Sequence, residues 1–189
     1  MNGSNLVQEF AAAFNRQDMP GLLACFSEEA VYHDTFYGRH QGHAGLRELF
    51  QLMFRDGRDS TWSVHVVVAD ALRAAAEWTF SYTVSEAVPR SAGRKVRFSG
   101  MSLFELKGGK IASYREYFDS GVAFLQLGFA PESLAKILAR RLPDFLGGGP
   151  PRHPHAFGVD ARVPAPSDAS PQVARAKPAL EPPRSQSTS

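Results

Sequence analysis

Apolar residues recur at helical spacing over 5–16, where Leu6, Phe10, Ala13 and Phe14 share one face. Asp18 is placed to cap a second short helix over 19–26, with Pro20 in its first turn. AVYHD (30–34) reads as a short strand with an apolar start, and TFYGRHQG (35–42) as a loop. Residues 43–55 return to the helical period through Leu46, Leu49, Phe50 and Met53, and DGRDS (56–60) is a turn cluster. The period then changes. Residues 62–68, 72–84, 94–106 and 110–118 read as long strands, parted by turn signals at Ala69-Asp70, Pro89 to Gly93 and Lys107-Gly108-Gly109. Gly108-Gly109 suits a tight hairpin, because both residues accept positive φ. After Asp119 a short helical stretch ends at Gly128. Pro131 then opens an amphipathic helix over 131–142, with Leu134, Ile137, Leu138 and Leu142 on one face and Lys136, Arg140 and Arg141 towards its C-terminal end, where cations suit the helix dipole.

Helices first and a meander of long strands afterwards predict an α+β fold. Its form is a curved antiparallel sheet, a half-barrel, covered by the N-terminal helices and enclosing a conical apolar pocket. The pattern stops at Gly147-Gly148-Gly149-Pro150-Pro151, and nine of the 13 prolines lie beyond that run of glycines. Residues 1–146 are therefore read as one domain that includes the helix at 131–142. Residues 147–189 are read as a Pro-rich disordered tail, too poor in apolar residues to offset chain entropy.

Charge and composition narrow the function classes. The chain has 21 Lys+Arg against 19 Asp+Glu, a formal charge of +2. The excess sits in the tail, so the domain is neutral and carries no basic block for nucleic acid. Apolar residues make up 43% with 14 Phe, enough for a good core. One cysteine excludes a disulfide framework and a cysteine-rich zinc site. No apolar run approaches the ~20 residues that cross a bilayer, and MNGSNLVQEF lacks the regions of a signal peptide. A soluble cytoplasmic protein with no membrane partner is expected.

Three stretches carry a family resemblance: FNRQDMPGLLACFSEEAVYHD, GHAGLRELF from Gly42, and the hairpin GMSLFELKGGKIASYREYFD. Together they resemble the nuclear-transport-factor-2-like superfamily across about residues 5–128. Within it the chain is similar to the SnoaL-like branch, beside ketosteroid isomerases and limonene-epoxide hydrolases. The resemblance implies a deep apolar pocket and fixes which strand parity faces it. Tyr32 and Asp34 then point inwards and His33 outwards. Trp78, Phe80 and Tyr82 face in from the next relevant strand, Phe98, Gly100, Ser102 and Phe104 from the following one, and Tyr114, Glu116 and Phe118 from the last. Glu77, Arg97, Arg115 and Tyr117 fall on the other face. The substrate pocket is expected to take Phe10, Phe14, Phe50 and Met53 from the helices, with Trp78, Phe80, Tyr82, Phe98, Ser102, Tyr114 and Phe118 from the sheet.

Asp34 and Glu116 are the two acids among these aromatics. Asp34 matches the position of the general base in ketosteroid isomerases. Glu116 matches a last-strand acid of limonene-epoxide hydrolases, and Tyr32 the hydrolase tyrosine that helps hold the attacking water. A carboxylate in an apolar pocket has its pKa raised by desolvation, and two that face each other share a proton. One base and one acid at neutral pH suit proton transfer on a carbonyl compound, the tuning that ketosteroid isomerases use. Two departures narrow the chemistry. The isomerase's oxyanion-hole tyrosine and aspartic acid fall at Phe10 and Ser102, and the hydrolase's arginine and second aspartate fall at Trp78 and Phe80. These speak against steroid isomerisation by the known route and against epoxide hydrolysis. The expected activity is acid–base catalysis without metal, nucleotide or other cofactor. Asp34 acts as base, Glu116 as acid or second base, and Tyr32 orients the substrate oxygen. The substrate is a bulky apolar carbonyl or hydroxyl compound of the polyketide, steroid or terpenoid class. The alternative is a non-catalytic ligand-binding or dimerisation module of the same fold, in which Asp34 caps the loop at 35–42 and Glu116 pairs with an arginine. A homodimer through the open sheet face is expected from the resemblance.

Other signals are set aside. His33, His40 and His43 have no single-face metal spacing. Cys25 lies on an apolar helix side with no histidine to activate it. Gly108-Gly109-Lys110 is followed by no helix, so it is not a phosphate loop. Arg90, Arg94, Lys95 and Arg97 surround a hairpin. The helix at 131–142 is read as a lid, a dimer contact or, least of all, a membrane-surface helix.

Overall fold

The computed structural model describes residues 2–146. The tail expected over 147–189 and the side chains of Arg141 and Leu142 lie outside the described residues. Helix α1 (Gly3–Asn15) is followed by α2 (Met19–Cys25), strands β1 (Phe26–Asp34) and β2 (Gly38–Gln41), and α3 (Gly42–Asp56). Three long strands follow, β3 (Gly57–Ala69), β4 (Arg73–Val84) and β5 (Lys95–Lys107), with a single 3-10 turn at Pro89–Ser91 before β5. The hairpin closes with β6 (Lys110–Phe118), and α4 (Ser120–Gln126) and α5 (Pro131–Leu146) end the described chain. This is the expected α+β half-barrel. No helix among the described residues is long and apolar enough to cross a membrane.

The strands form one open sheet in the order β2-β1-β6-β5-β4-β3. Register shifts within the β3–β4 and β5–β6 pairs mark bulges, which bend strands and sharpen their twist. The expectation of a wholly antiparallel sheet needs one correction, because β1 runs parallel to β6. A parallel neighbour needs a long crossover, and here everything from β2 to β5 supplies it.

Two elements differ from the pattern reading. Strand β1 begins at Phe26, not at residue 30. A register break between Phe26 and Val31 and two exposed acids, Glu28 and Glu29, hide its first half from an alternation search. The segment 35–42 contains β2, a four-residue polar edge strand that pairs antiparallel to β1. The turn between them closes because Gly38 takes φ 86° and the Asp34 carboxylate caps it.

Helix α1 lies in the concave face of the sheet and buries Leu6, Val7, Phe10, Ala13 and Phe14. The Phe10 ring meets Phe26, Trp62 and Tyr114 edge-on at 5.4, 5.1 and 6.0 Å between centroids, a favoured aromatic arrangement. Asn15, at the end of α1, pins β3 by both amide groups: its Oδ1 accepts from Trp62 N–H at 2.7 Å and its Nδ2 donates to Trp62 C=O at 2.9 Å. Gln126 of α4 holds β5 in the same way, accepting from Arg97 N–H at 2.8 Å and donating to Arg97 C=O at 2.9 Å. That stretch of β5 runs past the end of β6, so the side chain satisfies an otherwise open strand edge. Helix α5 packs on α4.

Candidate active site

Alternation along β1 turns Tyr32 and Asp34 to the interior, where both are buried, and alternation along β6 does the same for Tyr114 and Glu116. The β1–β6 register sets Tyr32 opposite Tyr114, and the two rings stack at 4.0 Å and 23°. Across β5 and β4, Glu116 neighbours Ser102 and Ser102 neighbours Ala76. Trp78 reaches the same level from β4. Gly100 makes room for its indole, since a Cβ there would lie 2.8 Å from Trp78 Cη2 and 2.6 Å from Tyr117 C=O.

The two acids are fastened differently. Asp34 Oδ1 accepts from the Phe36 and Tyr37 amides, both at 2.7 Å. Asp34 Oδ2 has no hydrogen bond among the described residues. Glu116 uses both oxygens: Oε1 accepts from Thr35 N–H at 2.9 Å, and Oε2 accepts from the Tyr114 hydroxyl at 3.0 Å. Behind Tyr114, the Trp78 indole N–H donates to Ser102 Oγ at 2.7 Å, and the Ser102 hydroxyl donates to Tyr114 Oη at 2.8 Å.

Burial raises both carboxyls. For Asp34 the opposing influences are the Tyr37 and Phe36 amides and the charge of His40. For Glu116, burial and then the charge of Asp34 push the group from 4.5 to about 8, against the donors at Thr35 and Tyr114. Neither acid takes part in an ion pair among the described residues. The arginine partner that a structural role for Glu116 would supply is therefore missing, while the loop cap by Asp34 is present. Burial lifts Tyr32 and Tyr114 well above the ordinary phenol range, so both remain neutral.

Asp34 and Glu116 open on one cavity of about 40 Å³. Trp78, Phe80, Tyr82, Phe98, Phe118 and Met53 line it as the pattern suggests. Phe10, Phe14 and Phe50 do not. They are at most 1% exposed and belong to the core under α1, because the sheet curves far enough for helix and sheet to meet there. Tyr32, Ser102 and Tyr114 are also off the wall, one layer behind the acids, so Tyr32 touches no occupant of this cavity. The deep pocket of the sequence reading is in this structure a narrow one. Phe98 and Phe118 stack at 4.4 Å, and Phe36 meets both edge-on.

Five lining residues escaped the sequence reading: Gly57, Ser60 and the aromatics Trp62, Phe36 and Tyr37. Trp62 had a usable signal, an aromatic at the start of an alternating strand, and it pairs directly with Phe80. Phe36 and Tyr37 had none, because their direction depends on the turn that Asp34 closes. Of the signals set aside, Cys25 is a buried thiol whose Sγ lies 3.3 Å from Gly21 C=O, and burial pushes it up to about 11. His40 and His43 bond the backbone carbonyls of Tyr37 and Phe26.

Comparison with known proteins agrees with this fold. Residues 7–114 match the SnoaL-like domain. A candidate polyketide cyclase of Pseudomonas putida is 30% identical, with a TM-score of 0.57 over 63% of this chain and 92% of its own. An LEH-like epoxide hydrolase of M. tuberculosis is 22% identical, with a TM-score of 0.55 over 74% of this chain and 94% of its own, and shares the fold. So does a Catenulispora acidiphila protein with a ketosteroid isomerase-like fold, at 15% identity and a TM-score of 0.59 over 66% of this chain and 93% of its own. With more than half of its length inside that domain, on this fold, the chain belongs to the SnoaL-like family of the nuclear-transport-factor-2-like superfamily.

Proposed function

We propose that this protein is a small-molecule enzyme of the cyclase, isomerase or dehydratase type, acting by acid–base chemistry on an apolar carbonyl or hydroxyl compound of the polyketide, steroid or terpenoid class. The observation that carries this reading is the pair of buried carboxyls on one aromatic-lined cavity, both raised by burial and Glu116 raised further by the charge of Asp34. Similarity to a candidate polyketide cyclase supports the substrate class.

Asp34 is the base, because Oδ2 is not tied to the turn. It takes the hydrogen from the carbon beside the carbonyl. The C–H electron pair becomes the C=C bond of an enol, and Glu116 gives its proton to the carbonyl oxygen. In each route the enol O–H proton returns to Glu116 as the carbonyl re-forms. The Asp34 proton goes to another carbon in an isomerisation, to the oxygen of the second carbonyl that the enol attacks in a ring closure, or to the departing β-hydroxyl, which leaves as water, in a dehydration. Each route leaves one proton on the pair. The half-buried rings of Phe36, Phe98 and Phe118 pack on one another in the cavity wall, so a polycyclic substrate enters by turning them outward. The decisive experiment measures turnover of aromatic polyketide and steroid-like ketones by the wild type, Asp34→Asn and Glu116→Gln. Loss of turnover in folded variants supports the assignment, and full turnover in both removes it.

The non-catalytic alternative draws on the outer sheet face. Val66, Met101 and Tyr117 lie in one row across the strands, with the exposed Glu77 between Val66 and Met101, and the three are each more than half exposed. We propose that this row pairs two copies of the chain. Dimerisation by itself does not account for two buried carboxyls.

A further inference from the structure

Trp78, Ser102, Tyr114 and Glu116 form an unbroken buried chain of hydrogen bonds of 2.7, 2.8 and 3.0 Å. Its direction is set at one end. An indole N–H only donates, so Ser102 Oγ accepts from Trp78 and turns its own hydrogen to Tyr114. Tyr114 Oη thus always accepts from Ser102, which leaves its own hydrogen to be placed. Here that hydrogen is donated to Glu116 Oε2. A second acceptor stands beside it. The Tyr32 hydroxyl is buried with no hydrogen bond of full geometry. Its ring is stacked on that of Tyr114, and the two hydroxyls are close enough to influence each other's ionisation. A buried hydroxyl held by no more than this loose approach forfeits part of the roughly 1–3 kcal/mol that a full hydrogen bond would save, and calls for an explanation.

We propose that Trp78, Ser102 and Tyr114 are positioning residues forming a one-way hydrogen-bond relay into Glu116, and that Tyr32 is the second seat for the Tyr114 hydrogen when Glu116 carries a proton. With Glu116 ionised, Tyr114 O–H donates to Oε2. When a proton arrives on Oε2, that O–H donates to Tyr114 Oη, and the Tyr114 hydrogen turns to Tyr32 Oη. No covalent bond of either tyrosine breaks, and both phenols stay neutral. The relay lets one buried carboxyl change its protonation state while Tyr114 keeps partners in both. Its use in catalysis rests on the acid–base reading above; the hydrogen-bond switch does not. The titratable groups around Glu116 are Asp34 and Tyr32 from β1 and Tyr114 from its own strand. His40, Tyr37 and Tyr82 face Asp34.

The test is a carbon-13 NMR titration of the full chain, labelled at the Glu carboxyl and Tyr ζ carbons. The Glu116 signal is the one that Glu116→Gln removes. In the wild type, the Tyr32 and Tyr114 signals are expected to move with the Glu116 midpoint without themselves ionising. Ser102→Ala and Tyr114→Phe weaken or remove the donor to the carboxylate and shift that midpoint upward by about half to one pH unit. Tyr32→Phe removes the second seat and shifts it downward by a similar amount. Loose packing moves all three in one direction, so same-sign shifts overturn the relay. Stationary tyrosine signals in the wild type overturn it as well, which keeps the test open if a variant does not fold. Loss of turnover in Glu116→Gln with unmoved tyrosines removes the relay and leaves the acid–base reading standing. Full turnover in Glu116→Gln removes that reading, while the signs of the shifts still decide the relay.

Discussion

Asp34 and Glu116, from strands far apart in sequence, are tied to consecutive amides of one turn: Glu116 takes the Thr35 N–H, and Asp34 takes those of Phe36 and Tyr37. The turn thereby fixes the two acids relative to each other. A carboxamide keeps an acceptor for these amides but cannot take up a proton. Asp34→Asn and Glu116→Gln are therefore expected to fold and to lose about 10²–10⁴-fold in turnover, the usual worth of general acid–base catalysis. Asp34→Ala additionally loses the cap of the turn. Circular dichroism alongside product formation separates the two effects.

The same pair makes stability depend on pH. Glu116 ionises near 4.5 when unfolded and at about 8 in the fold. Its protonated form stabilises fully below the lower value, and that stabilisation is lost as pH rises through the upper one. Urea denaturation is expected to show the wild type weakening from pH 5 to pH 8. Glu116→Gln should lose at least about 1 kcal/mol less over the same window. Equal slopes for the two proteins would contradict the raised carboxyl.

Phe10 and Phe98 separate core from cavity wall. Phe10→Ala removes a fully buried ring and should cost about 3–5 kcal/mol. Phe98→Ala takes away one of two stacked rings over the cavity and should cost less, because that ring is only half-buried. It should also widen the space beside the acids. Thermal shifts with flat aromatic ketones are expected to grow in Phe98→Ala relative to its own ligand-free melting point, and to stay unchanged in Phe10→Ala where that variant folds. No gain in Phe98→Ala would mean that these rings do not gate the cavity.

Val66, Met101 and Tyr117, in a row that Glu77 completes, are exposed on the outer face by 52%, 53% and 53%. Sedimentation equilibrium should give the wild type the mass of two chains, and Met101→Lys combined with Tyr117→Lys the mass of one. A monomeric wild type would sink the proposed pairing. Neither side chain lines the cavity, so the monomer's carboxyl titration should match that of the parent.

Sequence period by itself determined the order of elements, the hairpin at Gly108-Gly109 and the inward parity of Tyr32, Asp34, Tyr114 and Glu116 once one face was assigned. These are local properties: side chains alternate along a strand, and turns need residues that accept their φ. The four-residue β2, the first half of β1 and the parallel β1–β6 pairing were not legible. A polar edge strand has no apolar face to report it, and register between distant strands is a tertiary choice. Tertiary structure also decided which aromatics fill the core and which line the cavity. Phe10 and Phe98 look alike as apolar residues at regular spacing, but curvature of the sheet seals the α1 ring of Phe10 into the core and leaves that of Phe98 on the cavity wall. Most of all, it decided the chemistry around Glu116. A tryptophan, a serine and a tyrosine read as pocket lining along the chain. Only when β4, β5 and β6 lie side by side do they become a chain of donors ending on one carboxyl.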